Sequence, residues 1–517
     1  MNSLTGYKTS LSPWVIFLAF FNIILHWTFY NTLGFHRDEL LYFSLGQHLS
    51  AGYASVPPFI GFMAWIMINT LGYSLLSARL LPMLLSGVMV FIVALISREL
   101  KGKTYAQVLS SIAFIVSPFN LRTYFLFMPV FLDCFFWSLI ILLILKWINT
   151  KDDRYLLMLG LAAGLGMLNK YLIAVEFFAI LAVFLFSAQR EIFTTKYFGF
   201  AILIALLFFS PNLIWQLKNN LPVLTHMQAL HDSQLVHVSR ISFFTDQMFI
   251  VCMAVFLVIP GLIYTLTSKS MKPYRPLLIA SLLVLLILVL LRGKSYYTLG
   301  LYPFWIAAGG VFWESRIKRL AIKIALPLFI VLLTLPVLPY GLPVFKPARL
   351  VEYFAGARKS TGFDAALRWE TGRIHTLPQD YADMLGWDEI AGITAKAYEQ
   401  VSDKTACMIY AENYGEAGAV MVLGKKYGLP EPVCFSESFW YWFPRNPSHE
   451  ITEMIYINDE LGDDINSLFA DCKKVGQVQD TLAREYGTEV WLCKNPRSSF
   501  NEFWKQRTPL VTNPFHH

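Results

Sequence analysis

The segment His36-Arg37-Asp38-Glu39-Leu40-Leu41-Tyr42 sets two adjacent carboxylates between a guanidinium and a phenol. A carboxylate in such a setting can take or orient the proton of a hydroxyl or phosphate as it attacks. Apolar residues at Leu41, Leu45 and Leu49 predict a helix from Arg37 towards Tyr53 lying on a membrane surface. Asp38 would serve equally as the N-terminal cap of that helix, without chemistry. A third acid, Asp133, stands in Phe131-Leu-Asp133-Cys-Phe-Phe-Trp137, at the end of an otherwise apolar run. It is costly there unless it meets a polar cavity or an interhelical partner. Glu176, shortly after Lys170-Tyr171, suits pairing with a basic neighbour.

Bases sit beside phenols in Arg122-Thr-Tyr124, Lys170-Tyr171 and Arg292-Gly-Lys294-Ser-Tyr296-Tyr297. Both groups donate to phosphate oxygens, although an aromatic belt with snorkelling bases produces the same pattern. His226, His231, His237 and Asp232 carry donor types for a divalent metal, but a polar loop sprinkled with histidines is usually only that. No metal or other cofactor is called for.

The elements that must hold these residues are membrane helices. Of 517 residues 56% are hydrophobic and 15% charged, against about 25% charged in soluble domains. The net charge of +7 divides unevenly. Residues 1–340 hold 24 Lys/Arg and 11 Asp/Glu, a net of +13, and residues 341–517 hold 18 and 24, a net of −6. A soluble single-domain enzyme and a nucleic-acid-binding protein are excluded. Eleven spans are expected, near 12–30, 77–97, 104–119, 130–148, 155–169, 171–188, 197–216, 243–268, 277–292, 297–313 and 320–339. The first span reads as retained, without a cleavable signal. One set of loops, counted from Lys8, carries 16 Lys/Arg and the other, counted from Arg37, carries 8. The positive-inside asymmetry predicts a cytoplasmic N-terminus, and an odd number of spans then places the acidic C-terminal part outside, in the periplasm of a bacterium.

After the Pro-punctuated stretch Leu335–Pro347 the pattern predicts a small α/β domain. Its strands are expected at Cys407–Glu412, Pro432–Phe435, Met454–Ile457 and Glu489–Cys493, with a helix from Ala417 to Tyr427. Four cysteines fall there, Cys407, Cys434, Cys472 and Cys493, and either disulfides or reduced buried thiols fit them.

Taken in order, several motifs resemble the superfamily of protein O-mannosyltransferases and lipid A aminoarabinose transferases, GT-C fold enzymes of the glycosyltransferase family 39 type. The first is Asp38-Glu39-Leu-Leu-Tyr42 with Gly52-Tyr53-Ala-Ser-Val-Pro57-Pro58. Ser77-Ala-Arg79, Leu132-Asp133, Leu168-Asn-Lys170-Tyr171, Pro211-Asn-Leu-Ile-Trp-Gln216, Gly293-Lys294-Ser-Tyr296-Tyr297 and Leu301-Tyr-Pro303 follow. Leu377-Pro-Gln-Asp-Tyr381, Gly386-Trp387 and Asn413-Tyr-Gly-Glu-Ala-Gly418 extend the likeness through the tail.

The resemblance implies a polytopic helical GT-C membrane catalytic domain over 1–340 and a soluble periplasmic α/β domain over 341–517. It implies transfer of a sugar, with inversion, from a polyprenyl-phosphate carrier to a lipid, glycan or protein acceptor in the cell envelope. Asp38 matches the family's catalytic acid, with Glu39 beside it and Asp133 orienting acceptor or sugar. Lys170, Arg292, Lys294 and Tyr297 would hold the leaving phosphate, and Arg37, Tyr42, Tyr53, Arg122, Tyr171 and Tyr296 would line the substrates. Two departures rearrange phosphate recognition. Ser55-Val56 stand where the aminoarabinose transferases carry Glu-Lys, and Leu41 stands where they carry an arginine. A transporter or flippase of lipid-linked sugars is the competing reading, and a noncatalytic scaffold presenting the exported domain is a third.

Overall fold

The computed structural model describes residues 10–510 except 234 and 238; Lys8, and the side chain of His237, lie outside the described residues. The described chain forms two compact units. One is built from Arg79–Ile214 and Leu230–Val344 with the helix Pro13–Phe29, and the other from Tyr30–Ala78, Trp215–Ala229 and the chain from Phe345 onward. The segment bearing Asp38 is thus grouped with the C-terminal part.

The first unit is helical. Six stretches among the described residues are long and apolar enough to cross a membrane: Leu75–Glu99, Pro129–Thr150, Lys196–Lys218, Arg240–Thr267, Lys269–Leu290 and Leu320–Gly341. Each of the eleven expected spans contains a helix, but Pro13–Phe29, Thr104–Val116 and Arg154–Asn169 have at most 17 residues. Ile173–Leu185 breaks at 108° into a short 3-10 turn, Ala188–Thr194. The expected span 297–313 divides into a 3-10 segment, Ser295–Leu301, and the helix Tyr302–Arg316. Leu203, Leu206 and Leu207, like Ile324, Leu328 and Leu332, are exposed. Apolar side chains in such density suit lipid, not water. Inside the unit, helices 255–267 and 302–316 approach closely at Gly309, where a Cβ would come within 2.1 Å of the Leu257 carbonyl oxygen.

Two helices of this unit set the places of Asp133 and Lys170. Pro129 opens the helix Pro129–Thr150 at a position where its missing N–H costs nothing, and Asp133 lies one turn further in. The helix Arg154–Asn169 ends where Lys170 turns extended. The Asn169 side chain donates to the Pro129 carbonyl at 2.9 Å, which fixes one helix end against the other.

The second unit opens with the helix Arg37–Gln47. Its cap is His36, whose Nδ1 accepts the Asp38 N–H at 3.1 Å, while Glu39 Oε2 accepts the His36 N–H at 2.9 Å. Asp38 therefore does not cap the helix, and its carboxylate remains for other work. The helix stops at Gln47, short of Tyr53. The Tyr53 hydroxyl donates to the Leu45 carbonyl at 3.0 Å and folds the following loop back. An apolar helix, Phe59–Leu71, comes next.

The C-terminal part is α/β, around a four-stranded mixed sheet of β1 (Cys407–Ala411), β2 (Glu453–Asn458), β3 (Phe469–Gln477) and β4 (Glu489–Pro496), in the order β1-β2-β4-β3. β1 and β2 run parallel, joined through the helix Tyr414–Leu423, and β4 runs antiparallel to β2 and β3. Pro432–Phe435 is not a strand; it makes a single bridge, Val433 to Tyr410. Met408, Met454, Phe469, Phe500 and Trp504 form the core of one sheet face. Cys472 and Cys493 face each other across β3 and β4 and are bonded, while Cys407 and Cys434 are free thiols.

Candidate active site

Within the second unit Asp38 is met by a helix that starts 376 residues later. Asn413 caps that helix through its side chain, which accepts from Gly415 and Glu416 N–H groups at 2.8 and 3.1 Å. This cap aims Tyr414 at Asp38, and its hydroxyl donates to Asp38 Oδ1 at 2.9 Å. Gly415 permits the approach, because a Cβ there would lie 2.6 Å from the Trp387 ring and 2.9 Å from Arg37 Cγ. The Arg37 guanidinium lies 4.2 Å above the Tyr414 ring. Burial, with the negative charge of Asp38, raises Tyr414 well above the ordinary phenol range. It therefore keeps its proton and donates it in a hydrogen bond to Asp38 Oδ1.

The backbone around Asp38 is fastened from the same part of the chain. The Arg37 N–H donates to the Asp383 carbonyl at 2.9 Å. The cap bond places the His36 proton on Nε2, which faces Asp380 at 3.9 Å and Asp383 at 3.8 Å. Arg484 pairs with Asp383 at 3.3 Å. Tyr42 is buried in the same helix, and burial together with the charges of Asp38 and Glu437 raises its phenol. The Oε2 of Glu437, whose charge acts on Tyr42 and Tyr414, is sealed from solvent and without a hydrogen bond.

In the first unit Asp133, 7% exposed, accepts the Trp137 indole N–H at 3.1 Å and stands 3.9 Å from Lys170 Nζ. The ammonium also lies 5.1 Å over the Tyr296 ring and 4.6 Å over the Tyr297 ring, and the charge of Lys294 acts on it. A partly exposed cation among aromatic faces, paired loosely with one acid, can exchange that acid for a phosphate. Asp246 and Gln247 position the turn bearing these tyrosines: Ser295 Oγ donates to Asp246 at 2.5 Å, and Gln247 donates to the Ser295 carbonyl at 3.3 Å.

The predicted residues thus sort into two groups and a remainder. Arg37, Asp38 and Tyr42 come together, as do Asp133, Lys170, Lys294, Tyr296 and Tyr297. Glu39 and Tyr53 bond to local backbone. Tyr171 donates to Asn212 at 2.7 Å, Arg292 to the Val236 carbonyl at 2.8 Å, and Arg122 sits half-buried in the short helix Pro118–Thr123. Glu176 is buried with neither carboxylate oxygen hydrogen-bonded. Tyr414, Glu437 and Asp246 are the site residues absent from the expectations above.

Among the described residues one acidic trio could hold a cation, Glu416, Asp459 and Glu485, with one oxygen from each within 4.8 Å of the others. Burial and the neighbouring acids push Glu416 up to about 8, while its Oε2 accepts the N–H groups of Glu412 and Asn413. Of the histidine loop, His231 pairs with the adjacent Asp232 at 2.9 Å, both exposed.

Residues 55–215 match the family model described as dolichyl-phosphate-mannose-protein mannosyltransferase. The structure is similar to ArnT from Cupriavidus metallidurans bound to undecaprenyl phosphate, with a TM-score of 0.60 at 11% identity, covering 93% of this chain and 98% of that one. The apo form of ArnT gives 0.58 at 11% identity, covering 93% and 97%. The oligosaccharyltransferase AglB from Archaeoglobus fulgidus gives 0.48 at 12% identity, covering 86% and 69%. A sequence search of curated proteins finds no match. Residues 55–215 thus resemble the mannosyltransferase family, and the fold of the chain is that of ArnT, a GT-C fold.

Proposed function

We propose that the protein is a membrane glycosyltransferase that moves a sugar from a polyprenyl-phosphate-linked donor to an acceptor at the periplasmic face of a bacterial inner membrane, with inversion at the anomeric carbon. The observation that carries this reading is Asp38, a carboxylate freed from helix capping, held through one oxygen by a protonated tyrosine and left with the other. Asp38 takes the acceptor's proton as its oxygen bonds to the anomeric carbon. The carbon–phosphate-oxygen bond breaks with its electron pair on the phosphate. That leaving group needs positive charge more than a general acid, and Lys170, with Lys294 and the phenols of Tyr296 and Tyr297, has the chemistry to supply it. Asp133 tunes the position of Lys170. The bonded pair Cys472–Cys493 supports an oxidising compartment for the C-terminal part.

The test uses full-length protein in proteoliposomes with polyprenyl-phosphate-linked hexoses and pentoses and lipid, glycan and peptide acceptors. A new glycosidic product with release of polyprenyl phosphate is expected. Translocation of the lipid-linked sugar without product would replace the transferase with a transporter, a reading to which the buried, unbonded Glu176 would then contribute.

A further inference from the structure

We infer that His36 is a positioning residue that holds Asp38 in its working place only while Nδ1 of its ring carries no proton, and releases it when the ring takes a second one. The inference rests on the transferase reading above. His36 is 3% exposed, and its two ring nitrogens meet opposite demands. Nδ1 accepts the Asp38 N–H at 3.1 Å, which only a bare nitrogen can do. Nε2 is buried without a hydrogen bond and faces Asp383 Oδ2 at 3.8 Å and Asp380 Oδ1 at 3.9 Å. Those are ion-pair distances, longer than a hydrogen bond, and such neighbours favour a charged ring. Capping alone does not call for this residue, since asparagine and serine are the better caps and do not titrate. Histidine is the side chain that changes charge near neutral pH.

The neutral ring carries its proton on Nε2, so a second proton goes to Nδ1. There it meets the Asp38 N–H donor to donor, and the cap bond is lost. The Arg37 N–H stays tied to the Asp383 carbonyl at 2.9 Å, so the loss falls on the next residue, Asp38 itself. The acids on the ring's own helix are Asp38 and Glu39, whose Oε2 accepts the His36 N–H at 2.9 Å. Asp380 and Asp383 face it from the other side, with Arg484 paired to Asp383 at 3.3 Å and Glu485 beside it. Burial pulls the ring's pKa down, but Asp380, Asp38 and Asp383 outweigh it and leave His36 above the ordinary 6.5. The ring therefore charges as the pH falls from the neutral range.

The first measurement is hydrogen exchange of the full-length protein in proteoliposomes at pH 6 and pH 8.5, corrected for the intrinsic rate and read on the first turn of the helix Arg37–Gln47. Protection in wild type should be about fivefold lower at pH 6, the worth of one cap. His36→Asn should show no such fall, because its Oδ1 stands where Nδ1 stood, two bonds beyond Cβ, and does not titrate. His36→Gln reaches towards Asp380 and Asp383 instead of capping, so its protection should be low at both values. The second measurement is kcat for sugar transfer. Wild type should lose about fivefold from pH 8.5 to pH 6, while His36→Asn keeps its rate across that range and exceeds His36→Gln by about fivefold throughout. Equal wild-type protection at the two pH values would overturn the inference, as would a fall in His36→Asn as large as in wild type. A wild-type kcat that stays level while protection falls would also overturn it, since the cap then does not govern Asp38. Should the variants fail to fold, the wild-type exchange and rate profiles decide alone. If protection responds as expected and no glycosidic product forms, it is the transferase reading that fails.

Discussion

Removing one oxygen from Tyr414 isolates the contact on which the Asp38 site depends. Tyr414→Phe leaves the ring beneath the Arg37 guanidinium, at 4.2 Å, and deletes only the hydroxyl that donates to Asp38 Oδ1 at 2.9 Å. A hydrogen bond to a charged group contributes about 1.5–3 kcal/mol, equivalent to roughly 10- to 150-fold in rate if it is expressed fully in the transition state. Two effects oppose each other. The freed carboxylate loses its fixed orientation, which slows transfer, while water can take the place of the lost donor, which limits the loss. The lower end of the range is therefore expected, about a tenfold fall in kcat, with the donor KM within about twofold. The assay is initial-rate transfer by purified protein in proteoliposomes, with thermal unfolding measured alongside. A well-folded Tyr414→Phe protein transferring at the wild-type rate would refute the claim that this phenol holds Asp38 in its working position.

Three further outcomes follow from the geometry. Gly415→Ala drives a Cβ into the Trp387 ring and Arg37; the crowding should cost about 1–3 kcal/mol and lower the unfolding temperature together with kcat, and an unchanged melting curve would contradict it. Lys170→Met keeps the stem and removes the charge, so the donor KM should rise on the order of tenfold or more while acceptor KM changes little; equal donor affinity in both proteins would remove Lys170 from phosphate recognition. Replacing Cys472 and Cys493 by serine together releases a loop of sequence separation 21 and should cost about 3 kcal/mol in the chain-entropy picture. Differential scanning of wild type with and without reductant should reproduce that loss, and identical scans would show that the bond contributes nothing.

Asp38 was readable from the sequence because acids are scarce where it stands: the first 340 residues hold 11, and each is conspicuous against an apolar background. Asp133 stood out for the same reason, and Lys170 because it is one of only 8 Lys/Arg in its set of loops and stands beside Tyr171. Tyr414 and Glu437 did not, since they lie in the part with ordinary charge density, and the contact that gives Tyr414 its role spans 376 residues. One local signal was there to be used. Asn413-x-x-Glu416 is a capping box, and reading it would have started the helix at Tyr414 instead of Ala417 and turned attention to the residue beside the cap. Asp246 could have been found by the reasoning that singled out Asp133, as an acid within an apolar span. β3 escaped because Asp471, Lys473 and Lys474 break the apolar alternation; it is an edge strand, where charge is tolerated and discourages pairing with other chains. Pro432–Phe435 has strand composition, yet only Val433 bridges to β1, since pairing depends on a neighbour that composition does not reveal.

The most direct measurement is transfer by Asp38→Asn, which keeps the shape of the side chain and removes its capacity to take a proton. Side by side with wild type, at equal amounts of folded protein and saturating donor and acceptor, the variant should lose at least about a hundredfold in kcat while still binding the polyprenyl-phosphate donor. Transfer by Asp38→Asn at the wild-type rate would contradict the assignment of Asp38 as the base and with it the chemistry proposed for the site.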